Sequence, residues 1–204
     1  DSAVMVIDAA KGVEPQTRKL FKVCVMRDIP IFTFVNKMDR EARNPFDLME
    51  EIEQELGIGT YPVNWPIGCG KEFKGVYHRT RREIISFEES GMASNSQKVK
   101  ATQLPLGDPR LDEVLGGELH RTLADDIELL DGASYEFDLE KVRHGKLSPA
   151  LTNFGVEPFL EEFLQMTTPP LARRSDQGEV DPFSPEFSAF VFKIQANMNK
   201  AHRD

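Results

Sequence analysis

Short apolar runs and amphipathic stretches alternate along the N-terminal part of the sequence. The runs at residues 4–7 and 31–35 are continuous and too short for buried helices, so they predict strands buried on both faces. Apolar residues recur at helical spacing after Pro15 and after Pro45, and proline suits the first turn of a helix. The order strand, helix, strand, helix predicts an α/β fold, in which a mostly parallel sheet is flanked by crossover helices.

A change of rhythm from about residue 61 to residue 146 indicates an insertion of mixed α and β structure. Its β-prone stretches lie at residues 75–78 and 83–87. Apolar residues at helical spacing follow Pro109 and stop at Gly132, a residue type that commonly ends helices. We expect the apolar face of this helix to pack within the insertion or against the parent sheet.

The helical pattern resumes near Asn153, where Pro158 falls in the first turn of a short amphipathic helix. Residues 167–186 contain four prolines and scattered charges, which is typical of an interdomain linker. An apolar, strand-like run starts at Phe187 and predicts the beginning of a second, β domain. Because a strand-like run also follows directly on Asp1 and Ser2, we expect the sequence to start inside a domain and to be a fragment or an incomplete reading frame.

Composition narrows the possible functions. The 204 residues carry a formal net charge of -9, which argues against sequence-blind wrapping of nucleic acid, and we expect no DNA partner. No apolar run is long enough for a membrane helix, so no membrane partner is expected. Cys24 and Cys69 fit neither a disulfide framework nor a zinc site. A reducing cytoplasm is therefore the expected compartment, and no metal ligands are predicted in the chain.

The tetrapeptide Asn36-Lys37-Met38-Asp39 directly follows a predicted parallel strand, where such sheets bind ligands. The carboxylate of Asp39 can accept two parallel hydrogen bonds from the guanine edge, whereas adenine lacks that donor pair. Lys37 can lay its methylene stem against a flat base, and Asn36 can tie neighbouring loops together. The pattern predicts guanine recognition, and the alternative is a polar loop without a ligand.

Two patterns in the insertion invite a phosphate or nucleic-acid interpretation. A phosphate loop is excluded at residues 68–71, because Trp65 and Glu72 occupy positions that require glycine and a hydroxyl residue. A basic cluster interleaved with Phe73 and Tyr77 fits an RNA-facing surface or an ordinary solvated hairpin. The cluster comprises Lys71, Lys74, Arg79, Arg81 and Arg82.

Residues 2–12, together with residues 36–39, resemble the G domain of translational GTPases, a group that includes elongation factor G. The stretches at residues 65–78, 153–156, 190–198 and 202–204 look more like the bacterial peptide chain release factor three family. This resemblance implies the C-terminal part of a P-loop GTPase G domain at residues 1–166, with the insertion at about 61–146. It further implies a linker at 167–186 and the first strand of a β-barrel domain II within 187–204.

The same resemblance implies a ribosome-dependent GTPase that acts in translation termination and promotes dissociation of the codon-reading release factors. Asn36, Lys37, Met38 and Asp39 would then contact the base of GTP or GDP, and the intact protein would use Mg²⁺ held by ligands outside this chain. The ribosome and the codon-reading release factors are the implied partners of a monomeric protein. An elongation factor G-like translocation GTPase and a non-nucleotide protein-interaction module are the alternatives.

The sequence departs from the family pattern in two places. The phosphate-binding loop, the effector switch and the hydrolytic residues of the family precede its first residue, so no catalytic residue is expected here. About five residues are expected to be missing between Pro149 and Ala150, including the strand before a base-contacting loop. Ala150 and Leu151 would be the remnant of that loop. We expect that the fragment neither folds as a complete domain nor hydrolyses GTP.

Overall fold

A computed structural model describes residues 2–27, 29–88, 98–102, 104–152, 156–170 and 172–191. The chain divides into two compact units, Asp1–Thr168 and Pro169–Asp204. Along the first unit the elements are β1 (Ala3–Asp8), α1 (Pro15–Val25), β2 (Ile31–Asn36), α2 (Pro45–Leu56), β3 (Gly59–Pro62), β4 (Asn64–Ile67), a 3-10 turn (Gly70–Glu72), β5 (Gly75–His78), β6 (Glu83–Glu88), β7 (Lys98–Thr102), α3 (Arg110–Leu115), α4 (Gly117–Ala133), α5 (Leu139–Arg143), β8 (Leu147–Thr152) and α6 (Val156–Met166).

A parallel sheet in the order β1-β2-β8-β3 forms the centre of the first unit. The helices that follow β1 and β2 begin at their predicted prolines, and Asn44 caps α2 by accepting a hydrogen bond from the amide of Phe46 at 2.8 Å. Gly57 ends α2 with a left-handed φ of 68°. The predicted α/β fold, a parallel sheet flanked by helices, is confirmed.

The burial predicted for β1 is wrong on one face. Met5 and Ile7 belong to the core that α1 and α2 cover, but Val4 is 42% exposed and Val6 is 56% exposed. Val4 and Val6 lie in register with Phe32 and Phe34 of β2, and β1 is an edge among the described strands of the sheet. The continuous apolar run therefore correctly predicts a strand, but it does not show that both faces of that strand are buried.

The strand expected to be missing between Pro149 and Ala150 is present, because Leu147–Thr152 forms β8 between β2 and β3, so that part of the prediction is wrong. The hydroxyls of Thr33 and Ser148 are both fully buried and lie 2.8 Å apart across the β2–β8 pair. Proline lacks the backbone N–H that a central strand donates, so Pro149 makes this segment look unlike a central strand in the sequence.

Two apolar cores lie on the two sides of the parallel sheet. On one side Ile7, Val35 and Ile52 share a core with residues of the insertion. On the other side Phe32 contacts Phe163 of α6 edge to face, with ring centroids 4.9 Å apart. Asp8 and Asn36, at the C-terminal ends of β1 and β2, are half-buried.

The insertion folds as the antiparallel sheet β4-β5-β6-β7 with α3 and α4. Leu123 and Ile127 of α4 are buried in the same core as the parallel sheet, which confirms the expected packing of that helix. The indole of Trp65 donates to Asp126 at 2.9 Å and stands 4.6 Å from the ring of Phe46. The polar stretch at residues 90–97, whose composition predicts a loop, lies outside the described residues.

The second unit contains β9 (Arg173–Ser175) and β10 (Gly178–Val180), which pair antiparallel. Part of the predicted linker is thus a short hairpin. Within the described residues 187–191 the expected strand is not formed, and Phe187 is 94% exposed. A strand needs a neighbour for its backbone hydrogen bonds, and none is present among the described residues here. Residues 192–204 lie outside the described part, so the second β domain stays a prediction.

Candidate functional site

The predicted loop begins where two neighbouring parallel strands end together. Asp8 is the last residue of β1 and lies in register with Asn36, the last residue of β2. The amide of Ala9 donates to the carbonyl of Asn36 at 2.9 Å, so the two chains stay joined beyond the sheet. This is the strand end at which parallel α/β sheets bind ligands.

Lys37 adopts a backbone conformation that is unusual for a residue with a side chain. Its φ is 71°, in the left-handed region that costs non-glycine residues roughly 1–2 kcal/mol. The side-chain oxygen of Asn36 accepts the Lys37 amide at 2.9 Å, and the Lys37 ammonium donates to Asp8 at 2.6 Å. Such strain persists where surrounding contacts hold it, and it is concentrated at functional loops.

Asp8 is the electrostatic anchor of the loop. The hydrogen bond from Lys37, followed by that from the Ala10 amide, lowers the pKa of the Asp8 carboxyl. The carboxylate is therefore ionised at neutral pH and holds the Lys37 ammonium. The aliphatic stem of Lys37 remains partly exposed, since 43% of its side chain is accessible.

Met38 and Asp39 face opposite environments. The Met38 side chain is completely buried, and its carbonyl accepts the amide of Gly70 at 2.8 Å. Asp39 lies in the exposed turn that the Arg40 amide closes by donating to the carbonyl of Lys37 at 3.1 Å. A buried residue thus anchors the turn that presents the Asp39 carboxylate at the surface.

The structure corrects the expected position of Ala150 and Leu151. Both lie inside β8 rather than in a loop, and each side chain is 1% exposed. Ala150 is paired with Thr33 and Leu151 with Phe34, so both lie beside residues of β2 that precede its last residue, Asn36. Their side chains fill the two cores, and contact with a base stays an untested prediction for them.

A second brace of the site was not foreseen from the sequence. Glu51 of α2 accepts the amide of Val13 at 3.1 Å and pairs with Arg43, whose own amide donates to the carbonyl of Ala9. Gly12 has a φ of 72°, and a Cβ there would collide with the Glu51 carboxylate. The glycine that follows a strand end was the available signal for this tight turn.

The basic cluster of the insertion is largely paired within the protein. Arg79 binds Asp131 at 2.9 Å, and Arg81 binds Glu162 of α6 at 2.6 Å. The guanidinium of Arg79 also lies over the ring of Tyr61. These contacts favour the solvated-hairpin interpretation over an RNA-facing surface, because the paired charges are already neutralised.

His78 joins the insertion to α6. It is 2% exposed, its Nδ1 accepts the amide of Arg81, and its Nε2 lies 3.1 Å from Glu162. Burial lowers the pKa of His78. The neutral ring therefore carries its proton on Nε2 and donates it to the Glu162 carboxylate.

Within the described part of the chain, no group of three or more histidine, cysteine, aspartate or glutamate side chains is placed to hold a metal ion. No helix among the same residues is long and apolar enough to cross a bilayer.

Comparison with known families matches residues 1–169 to the Elongation factor Tu GTP binding domain. Among curated relatives, proteins named Peptide chain release factor 3 are 55% identical in Nostoc punctiforme and 56% identical in Symbiobacterium thermophilum, over all of this chain. The chain spans only 38% and 39% of those relatives. The alignments run over 209 positions, compared with the 204 residues of this chain.

A crystal structure of a protein from Thermus thermophilus matches 82% of this chain with a TM-score of 0.58. The chain covers 26% of that structure at 19% sequence identity. At this identity the match supports the fold alone.

Proposed function

Because this chain belongs to the family of elongation factor Tu GTP-binding domains, we propose that its loop at residues 36–39 recognises the guanine base of GTP and GDP. The observation that supports this most directly is the braced turn at the ends of β1 and β2. Lys37 is fixed on Asp8, Met38 is buried, and Asp39 is presented at the surface.

The chemistry of the turn suits guanine. A carboxylate at Asp39 accepts from both the ring N–H and the amino group of guanine, and adenine cannot supply that pair. A site built on such hydrogen bonds discriminates by roughly four to five orders of magnitude, because the wrong ligand leaves a polar group unpaired. The partly exposed stem of Lys37 offers an apolar surface to the flat base.

The wider role rests on the relatives. We infer that the native polypeptide is a ribosome-dependent GTPase that acts in translation termination, where it promotes dissociation of the codon-reading release factors. The named relatives support this over an elongation factor G-like role, which was the alternative. The proposal includes a monomeric cytoplasmic protein that uses Mg²⁺ through ligands outside these residues.

These residues by themselves are proposed to be inactive as a GTPase. Val4 and Val6 of β1 are exposed, and among the described strands β1 pairs only with β2, so its outer edge is unpaired there. GTP turnover by the purified 204-residue chain above that of a heat-killed sample would contradict this part of the proposal.

Equilibrium binding of a fluorescent GDP tests base recognition. We expect unlabelled GDP to displace the fluorescent GDP and ADP not to displace it. The variant Asp39→Asn should lose this preference. Asp176→Asn, an exposed aspartate in the β9–β10 turn, is the matched control and should bind like the wild type. Equal displacement by GDP and ADP would contradict base recognition and favour a protein-interaction module.

A further inference from the structure

The turn between β4 and β5 of the insertion touches the loop at residues 36–40. The amide of Gly70 donates to the carbonyl of Met38 at 2.8 Å. A Cβ on Gly70 would lie 3.6 Å from the carbonyl oxygen of Arg40, so the two backbones run close together here. This contact joins the insertion to the loop that carries the proposed guanine contact.

The turn is a firm support for that hydrogen bond. Gly68 and Gly70 have left-handed φ values of 74° and 58°, and the Lys74 amide closes the turn by donating to the carbonyl of Ile67 at 2.9 Å. A Cβ on Gly68 would collide with the carbonyl of Glu72. The chain can follow this path only with glycine at position 68.

The same two segments also meet in the core. Ile67 and Trp65 of β4 are each 1% exposed and share a core with the fully buried Met38. Met38 is therefore held in two ways: its side chain packs in the core with β4, and its carbonyl accepts the hydrogen bond from Gly70. Close-packed interiors transmit small displacements, so a shift of β4 reaches the loop.

Peptide planarity connects this contact to Asp39. The carbonyl of Met38 and the amide of Asp39 belong to one rigid peptide unit, so fixing the carbonyl fixes the plane from which Asp39 projects. We propose that Gly70 is a positioning residue of the guanine site, and that the insertion thereby sets the preference for guanine. This inference rests on the proposed function of the loop.

Substitution at Gly70 tests the inference in the native polypeptide that carries these residues. Gly57→Ala is a matched control, since Gly57 has a similar φ of 68° at the end of α2 and a Cβ there meets nothing within 4 Å. GDP, IDP and ADP compete against a fluorescent GDP. IDP lacks the amino group of guanine, so the GDP-to-IDP affinity ratio reports the Asp39 contact.

Alanine at position 70 keeps the backbone amide but is strained at a φ of 58°, so we expect the backbone there to shift and the hydrogen bond to Met38 to weaken. GDP binding should then weaken about fivefold, which corresponds to the contribution of one ordinary hydrogen bond. The GDP-to-IDP ratio of Gly70→Ala should fall, whereas Gly57→Ala should keep the wild-type ratio. A purely structural role would lower both affinities in proportion. If the wild type prefers GDP over ADP and Gly70→Ala keeps its GDP-to-IDP ratio, this inference is overturned while the proposed function stands.

Hydrogen exchange in the unmodified protein provides a measurement that does not depend on a variant that folds. Binding couplings are reciprocal, so GDP must strengthen the Gly70 to Met38 hydrogen bond if that bond favours GDP. Added GDP should slow exchange of the Gly70 amide, and added ADP should not. Exchange unaffected by GDP would overturn the inference. A wild type with no preference for GDP over ADP would overturn both this inference and the proposed function.

Discussion

The ammonium Nζ of Lys37 lies 2.6 Å from Oδ2 of Asp8, which joins the ends of β1 and β2 by an ion pair. The Ala10 amide donates to the other oxygen of the same carboxylate at 2.9 Å. Together with the hydrogen bond from Ala9 to Asn36, these contacts brace the proposed guanine loop before any ligand is present. Preorganisation of this kind lowers the cost of ordering the loop on binding.

The first prediction concerns the acid side of stability. The pKa of Asp8 is lower in the folded protein than its ordinary 3.8, chiefly because Lys37 donates to it. Its contribution to stability is therefore complete above about pH 4 and is lost as the pH falls through the folded-state pKa. In thermal unfolding at a series of pH values, Asp8→Asn should lose less stability on acidification than the wild type. Parallel curves for the two proteins would contradict this.

A second prediction tests β8 as a central strand. Thr33→Val should destabilise the fold by about 1–3 kcal/mol, because it leaves the buried Ser148 hydroxyl without its partner. The double variant Thr33→Val with Ser148→Ala should recover part of that loss. Chemical denaturation of the wild type, Thr33→Val, Ser148→Ala and the double variant gives the coupling energy between the two hydroxyls. Strictly additive effects would show that the two hydroxyls do not interact.

The third prediction concerns His78 near neutral pH. Burial lowers the pKa of His78 below its ordinary 6.5, so the unfolded chain takes up this proton first as the pH falls. Stability should therefore decline below about pH 6.5 in the wild type and decline less in His78→Gln. His120 is a control with the opposite pH dependence, because the Leu106 carbonyl and then Asp112 raise its pKa. Its contribution to stability is present at low pH and is lost as the pH rises through the folded-state pKa. If His78→Gln follows the wild-type pH curve, the buried neutral ring is not the cause.

Local patterns in the sequence predicted the elements that carry the site. The runs before Asp8 and Asn36 are strands, and the prolines at positions 15 and 45 mark the starts of α1 and α2, because backbone restriction and apolar periodicity act over neighbouring residues. The position of residues 36–39 at the end of β2 follows from the same patterns.

Other features depend on contacts between distant parts of the chain. The exposure of Val4 depends on which elements lie beside β1, and the place of β8 depends on two partner strands that override the unfavourable Pro149. The bond between Gly70 and Met38 joins segments that are separated by α2 and two strands. Residue types alone carry no signal for that pairing.

A crystal structure of the native polypeptide with GDP is the decisive measurement of guanine recognition by residues 36–39. We expect both carboxylate oxygens of Asp39 to lie within about 2.7–3.2 Å of the two guanine nitrogens that bear hydrogen. We also expect the Lys37 stem to lie along the face of the base while its ammonium remains on Asp8. A guanine base bound away from residues 36–39, or an Asp39 carboxylate that makes no contact with it, would show that this loop is not the guanine site.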